Sequence, residues 1–132
     1  MKFSVITPVL NNEKSIERTI LKVKKFSKDY KLFEHIIIDG GSTDNTLNII
    51  KKNDYSNLKV LVDNESGIYK AINTGIKFST GDIVSILGSS DFYNEKDFSF
   101  YKLKNIFSSK NLDIVFGDAI FFSKKNPEKK MR

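Results

Sequence analysis

Cysteine is absent from the 132 residues, which excludes disulfides and thiolate metal sites and agrees with a cytoplasmic protein. Histidine occurs once, at His35, so neither a histidine zinc cluster nor a Ser–His–acid arrangement has support. No run approaches the roughly 18 apolar residues of a membrane-spanning helix. The opening MKFSVITPVL is too short in apolar residues for a signal peptide and turns polar at once. The expected location is therefore the cytoplasm. A glycine-rich run ending in Lys-Ser/Thr is also missing, which excludes a P-loop. Aromatic signatures of the kind that stack RNA bases are lacking too, and no nucleic-acid partner is expected.

What is present suits one soluble domain with a proper core: 39% hydrophobic and 29% charged residues. The net charge is +6, with lysines clustered at Lys22, Lys24, Lys25 and Lys28 and again at Lys124, Lys125, Lys129, Lys130 and Arg132. These clusters suit an anionic ligand or an acidic membrane surface. They suit better a solvated helix face and a loose basic tail.

Strand-like and helix-like segments alternate. Phe3 to Thr7 is a β-branched apolar run ended by Pro8. Ile16, Ile20, Val23 and Phe26 recur at helical spacing, with Asn12 or Ser15 available as a cap. Phe33 to Ile38 is a second strand, closed by Asp39-Gly40-Gly41. A short helix around Leu47 and Ile50 is opened by Ser42-Thr43-Asp44. Leu58 to Val62 is a third strand, Ile68 to Phe78 a helix broken by Gly75, and Ile83 to Leu87 a fourth strand. Phe98, Tyr101 and Leu103 suggest a further helix, and Ile114 to Phe116 a fifth strand. Nearly continuous apolar strands between helices predict a parallel sheet covered on both faces. Ligands bind such sheets beyond the carboxyl ends of the strands, and the polar loops TPVLNNE, DGGSTDNT, DNESG and GSSD fall there.

Each loop has a chemical reading and a plain one. Asp39 could accept a hydrogen bond from a base N–H or a ribose hydroxyl, with the glycines admitting a ligand to the backbone; it could also serve only the amides of its turn. Ser66 and Gly67 start a helix whose amides and dipole favour a phosphate; they could be an ordinary cap. Asp91 stands just past the fourth strand, where it could hold a metal or simply close a turn. His35, inside a strand, reads as a packed residue and not as a catalyst.

As an ordered set, SVITPVLNNEKSIERTI, HIIIDGGSTDNTLNII, SGIYKAINTGI, STGDIVSILGSSDFY and DIVFGDAIFF resemble the N-terminal half of a family 2 glycosyltransferase that builds bacterial surface polysaccharides. The resemblance covers about residues 3 to 122. It implies an α/β GT-A (Rossmann-like) fold, with a mostly parallel sheet flanked by helices. Residues 1–122 would form the nucleotide-sugar-binding domain, stopping before the acceptor-binding part, and 123–132 a poorly ordered basic tail. The implied reaction is an inverting transfer from a nucleotide-diphosphate sugar, UDP- or dTDP-linked, to a saccharide or lipid-linked acceptor in cell-surface polysaccharide synthesis. Contact with the inner membrane surface is a possible companion of the basic charge.

The resemblance carries donor binding onto Thr7, Pro8, Asn11, Glu13, Asp39, Ser66, Gly67, Lys70 and Ser90, and a divalent metal, Mn²⁺ or Mg²⁺, onto Asp91. The catalytic base is expected outside this chain. The pattern departs from the family at three points. Leu10 replaces a frequent aromatic, leaving apolar contact in place of base stacking. Gly88 and Ser90 replace polar or acidic residues beside Asp91. Lys70 stands where relatives often have Asp, and can meet a phosphate but not act as a carboxylate ligand. Two alternatives compete: a degenerate remnant that binds nucleotide without transfer, and an unrelated nucleotidyltransferase. The latter wants a glycine-rich phosphate loop near the first strand, which TPVLNNE lacks.

Overall fold

The computed structural model describes residues 1–29, 32–64, 67–122 and 130–131. In chain order the elements are β1 (Phe3–Val9), α1 (Ile16–Asp29), β2 (Phe33–Asp39), α2 (Thr46–Lys52), β3 (Leu58–Val62), α3 (Ile68–Phe78), β4 (Ile83–Ile86), α4 (Phe100–Lys110), β5 (Phe121–Phe122) and β6 (Lys130–Met131). The first four strands form one parallel sheet in the order β3-β2-β1-β4. The two central strands are buried along their whole length, as their unbroken apolar runs require.

Strand alternation sorts the core onto two faces. Phe3 and Val5 pack with Val23 and Phe26 of α1, Phe33, Leu87 and Phe100 of α4. Val9 and Ile37 continue that face beneath Ile16, Ile20 and Ile50. On the other face Ile6, Ile36 and Ile38 meet Ala71 of α3. At the amino edge of the sheet, Glu34 is buried and accepts hydrogen bonds from Ser4 (2.7 Å), Lys59 (2.6 Å) and the Thr80 amide (2.6 Å). Burial pushes its carboxyl pKa up, but the bonds from Lys59, Ser4 and Thr80 outweigh that and hold it at about 2. That network ties three strands together at the end away from the ligand loops.

Four details differ from the sequence expectations. β1 does not stop at Pro8 but runs to Val9. Pro8 shares its edge with Ile6, whose carbonyl accepts from Leu87, and the last β1–β4 pair is Ile6↔Ile86; the missing N–H therefore faces a side where no strand remains to accept it. α3 is unbroken at Gly75, because glycine there is a packing choice: a Cβ would collide with Cγ2 of Ile6. β4 ends at Ile86, although the Leu87 amide still bonds the Ile6 carbonyl. Ile114–Phe116 is not a strand; the segment is irregular, with Ile114 and Phe116 exposed, and the fifth strand is Phe121–Phe122.

Of the tail expected over 123–132, only Lys130 and Met131 fall within the described residues, paired antiparallel with β5. Lys124, Lys125, Lys129 and Arg132 lie outside them. Among the described residues no helix is long and apolar enough to cross a membrane.

Candidate functional site: an acidic loop cluster at the carboxyl edge of the sheet

Chain progression runs from β1 outward through β2 to β3, then returns to the opposite side of β1 as β4. The order reverses at β1, and the loops beyond β1, β2 and β4 meet there. Asp39 ends β2. Its Oδ1 accepts from the amides of Gly41 (3.0 Å) and Ser42 (2.7 Å), while its Oδ2 is buried with no hydrogen-bond partner. A buried carboxylate oxygen without a donor is costly. Leu10, 59% exposed, lies against Gly40 and adds an apolar surface beside that acid.

The two loops flanking Asp39 are laced together. Asn11 accepts from the Thr43 amide (2.8 Å) and its own amide donates to Ser42 (2.9 Å). The Glu13 amide donates to Asp44 (3.1 Å), and the Glu13 carboxylate accepts from the Asn45 amide (3.0 Å). Asn11 also adopts φ 48°, a left-handed conformation that asparagine tolerates. Asn11 and Glu13 thus shape the loop around Asp39. Thr7 is buried, its Oγ1 2.9 Å from His35 Nε2, and Pro8 lies within β1. As successive strand residues the two point to opposite faces of the sheet, so they do not form one surface beneath Asp39.

Beyond β4, Ser90 and Asp91 are exposed, and Asp91 folds back so that a Cβ on Gly88 would collide with its carboxylate. Glycine at 88 therefore makes room for that carboxylate. The hydroxyls of Ser89 and Ser90 accept from Asn12 Nδ2 at 2.8 and 3.0 Å. Their backbone carbonyls accept from α1: Ser90 from Arg18 (3.0 Å), and Ser89 and Asp91 both from Thr19 (2.9 Å each). Arg18 also lies over the Phe92 ring, 4.9 Å from its centre. Gly67 caps α3 at φ 114° with open space where a side chain would be, and Lys70 is exposed in the first turn. Ser66 lies outside the described residues.

Divalent cations of the Mn²⁺ or Mg²⁺ kind take oxygen ligands. Among the described residues no group of three or more His, Asp or Glu could hold a metal. Asp91 supplies one exposed carboxylate beside a loop of hydroxyls and carbonyls. That donor set fits a cation shared with a ligand diphosphate, not one caged by the protein alone.

An open parallel sheet with an acid at the switch point and a second acid on the adjacent loop is the frame of a nucleotide-binding α/β protein. The chain belongs to glycosyl transferase family 2, whose model matches residues 4–132. It is 37% identical over 121 residues to the poly(ribitol-phosphate) beta-N-acetylglucosaminyltransferase TarP of Staphylococcus aureus, covering 88% of this chain and 36% of TarP. It is 32% identical over 124 residues to a PGL/p-HBAD biosynthesis glycosyltransferase of Mycobacterium tuberculosis, covering 92% and 48%. The crystal structure of S. aureus TarS 1–349 in complex with UDP-GlcNAc superposes with a TM-score of 0.72 at 31% identity, over 84% of this chain and 32% of that one. The fold is therefore GT-A. A glucosyl-3-phosphoglycerate synthase of M. tuberculosis, solved with Mn²⁺ and UDP, matches at 27% identity with a TM-score of 0.58, over 67% and 33%. The chain spans between a third and a half of the length of TarP and the mycobacterial enzyme.

Asn12, Arg18 and Thr19 join the site without a mark in the sequence. Asn12 reads as a cap, and its carbonyl does accept from Ser15 and Ile16, but its side chain serves the β4 loop. Arg18 and Thr19 sit in a helix where polar residues ordinarily face water. Nothing in their local spacing marks a bond to residues some seventy positions away.

Proposed function

We propose that this chain is the donor-binding half of an inverting glycosyltransferase, working on the cytoplasmic side in cell-surface polymer synthesis. Its donor is a uridine or thymidine diphosphate sugar, and its acceptor a saccharide or lipid-linked hydroxyl. The observation that carries the reading is the unpartnered, buried Oδ2 of Asp39 at the switch point. A base N–H or ribose hydroxyl brought to that oxygen supplies the hydrogen bond the fold leaves unmade.

Leu10 then offers apolar contact to the base, and the laced loops of Asn11 and Glu13 hold Asp39 in place. The diphosphate lies toward Gly67, Lys70 and Asp91. Asp91 would hold a divalent ion, which would supply charge relief for the departing diphosphate. The amides at the start of α3 and the Lys70 ammonium add positive potential on the same side. The base that deprotonates the acceptor hydroxyl is assigned to sequence beyond these residues. Asp118, exposed in the irregular segment before β5, is not given that role. The relatives' names support a nucleotide-sugar donor and a surface-polymer product. Replacement of the neighbouring acid by Ser90, whose hydroxyl is engaged by Asn12, favours the second reading, a nucleotide-binding protein without transfer.

Titration calorimetry with UDP tests the donor site. Asp39→Asn keeps an oxygen for the Gly41 and Ser42 amides but turns Oδ2 into a donor. UDP affinity is expected to fall about 10- to 100-fold, the worth of one charged hydrogen bond, at an unchanged melting midpoint. Equal affinity in the variant, or no binding of millimolar UDP by the wild type, overturns the reading.

A further inference from the structure

Thr19 is a fully buried threonine in the second turn of α1. A helical threonine commonly turns its hydroxyl back on the carbonyl one turn earlier. Here the hydroxyl instead reaches across to the β4 loop, 2.9 Å from the carbonyls of both Ser89 and Asp91. Arg18 takes the carbonyl between them. Three successive carbonyls are thus captured by two neighbouring residues of one helix, and Asn12 captures the two serine hydroxyls. The Asp91 amide closes the turn onto the Gly88 carbonyl at 2.9 Å. These bonds fix the backbone that carries Asp91 and run from the same β1–α1 segment that laces the loop around Asp39.

Resting on the donor-site reading above, we infer that Thr19 is a positioning residue for Asp91. It sets the direction in which the carboxylate meets a diphosphate-bound cation. Its single proton, shared between two carbonyls, has no substitute in an apolar side chain of equal size. Partners that orient a metal-binding carboxylate typically change metal affinity 10- to 100-fold when lost.

The test compares Thr19→Val, which keeps the volume and loses the hydroxyl, with Thr19→Ser, which keeps the hydroxyl. Amide hydrogen exchange across residues 89–92 is expected to quicken about 10-fold in Thr19→Val and to return to the wild-type rate in Thr19→Ser. In calorimetry, the gain in UDP affinity on adding Mn²⁺ is expected to shrink about 10-fold in Thr19→Val and to recover in Thr19→Ser. UDP affinity without metal stays as it was. Unchanged exchange in Thr19→Val, or an equal loss of metal-free and Mn²⁺-dependent binding, overturns the positioning role. A wild type that binds no UDP at all overturns the donor reading and removes the ligand from this proposal. The exchange measurement needs no nucleotide and shows separately whether Thr19 orders the loop.

Discussion

Asp39 and His35 lie four residues apart on the same face of β2, and they respond to burial in opposite ways. Asp39 keeps one oxygen bonded to its turn and one bare. His35 is wholly buried between Thr7 and Tyr55, with Nε2 2.9 Å and Nδ1 3.0 Å from their hydroxyls. Burial disfavours the imidazolium and drives its pKa down from 6.5 to about 3. The sign of the consequence is fixed. Between those values the unfolded chain holds a proton that the folded chain lacks, so stability falls as pH falls from 6.5 toward 3. A one-proton difference is worth about 1.4 kcal/mol per pH unit. Of the groups with displaced pKa, the acids Glu34, Asp44 and Glu95 titrate below pH 5, leaving His35 alone between 6 and 5. Urea unfolding at pH 6.0 and 5.0 should show this slope in the wild type and not in His35→Gln; a slope that survives the substitution refutes the assignment. Asp39 was legible only as two alternatives, a ligand's acceptor or a server of its own turn, because an acid before two glycines suits both; its Oδ1 does bond the turn amides of Gly41 and Ser42. His35 was legible as a packed strand residue, but its hydrogen-bond partners were not, because they lie 28 and 20 positions away in the chain.

At the scale of elements, periodicity located the first four strands and all four helices, with α3 read as broken at Gly75. It failed where a residue's local preference was overruled by what lay across from it. Gly75 illustrates the competition. Alanine there would gain about 1 kcal/mol of helix propensity. Its Cβ would enter the space of Ile6 Cγ2, on a β-branched side chain that is fully buried and cannot swing aside. Overpacking of that kind costs about 1–3 kcal/mol. We expect Gly75→Ala to lower stability by up to about 2 kcal/mol net, read as a fall of up to several degrees in the calorimetric midpoint. A raised midpoint would mean that α3 lifts off β1 at little cost. The same overruling explains Ile114–Phe116, where three apolar residues resemble a strand but have none beside them among the described residues. An apolar run specifies burial or pairing, and it needs a partner to become a strand.

At the scale of the whole molecule, the centre of the sheet is covered and both of its edges carry exposed apolar side chains. β1 and β2 are buried along their length, whereas the edge strands β3 and β4 leave Val62 56% and Ile86 53% exposed, the latter on the face that α3 covers elsewhere. Ile114 and Phe116, at 67% and 89% exposure, lie in the irregular segment that follows α4. An unpaired strand edge and exposed large apolar side chains favour association. The net charge of +6 opposes it through repulsion between copies. These two forces respond oppositely to salt. Screening shortens the reach of like charges from about 30 Å at 0.01 M to about 8 Å at 0.15 M ionic strength, while apolar contact is not weakened. The 132-residue chain should therefore sediment as a monomer in dilute buffer and as larger species near 0.15 M salt, at the same protein concentration. Ile86→Lys with Phe116→Ser places a charge on the β4 edge strand and removes the most exposed ring among the described residues; it should hold the chain monomeric at both salt levels without lowering the melting midpoint. Association that instead falls with salt would assign self-contact to ion pairs, and the exposed apolar side chains would then have no part in it.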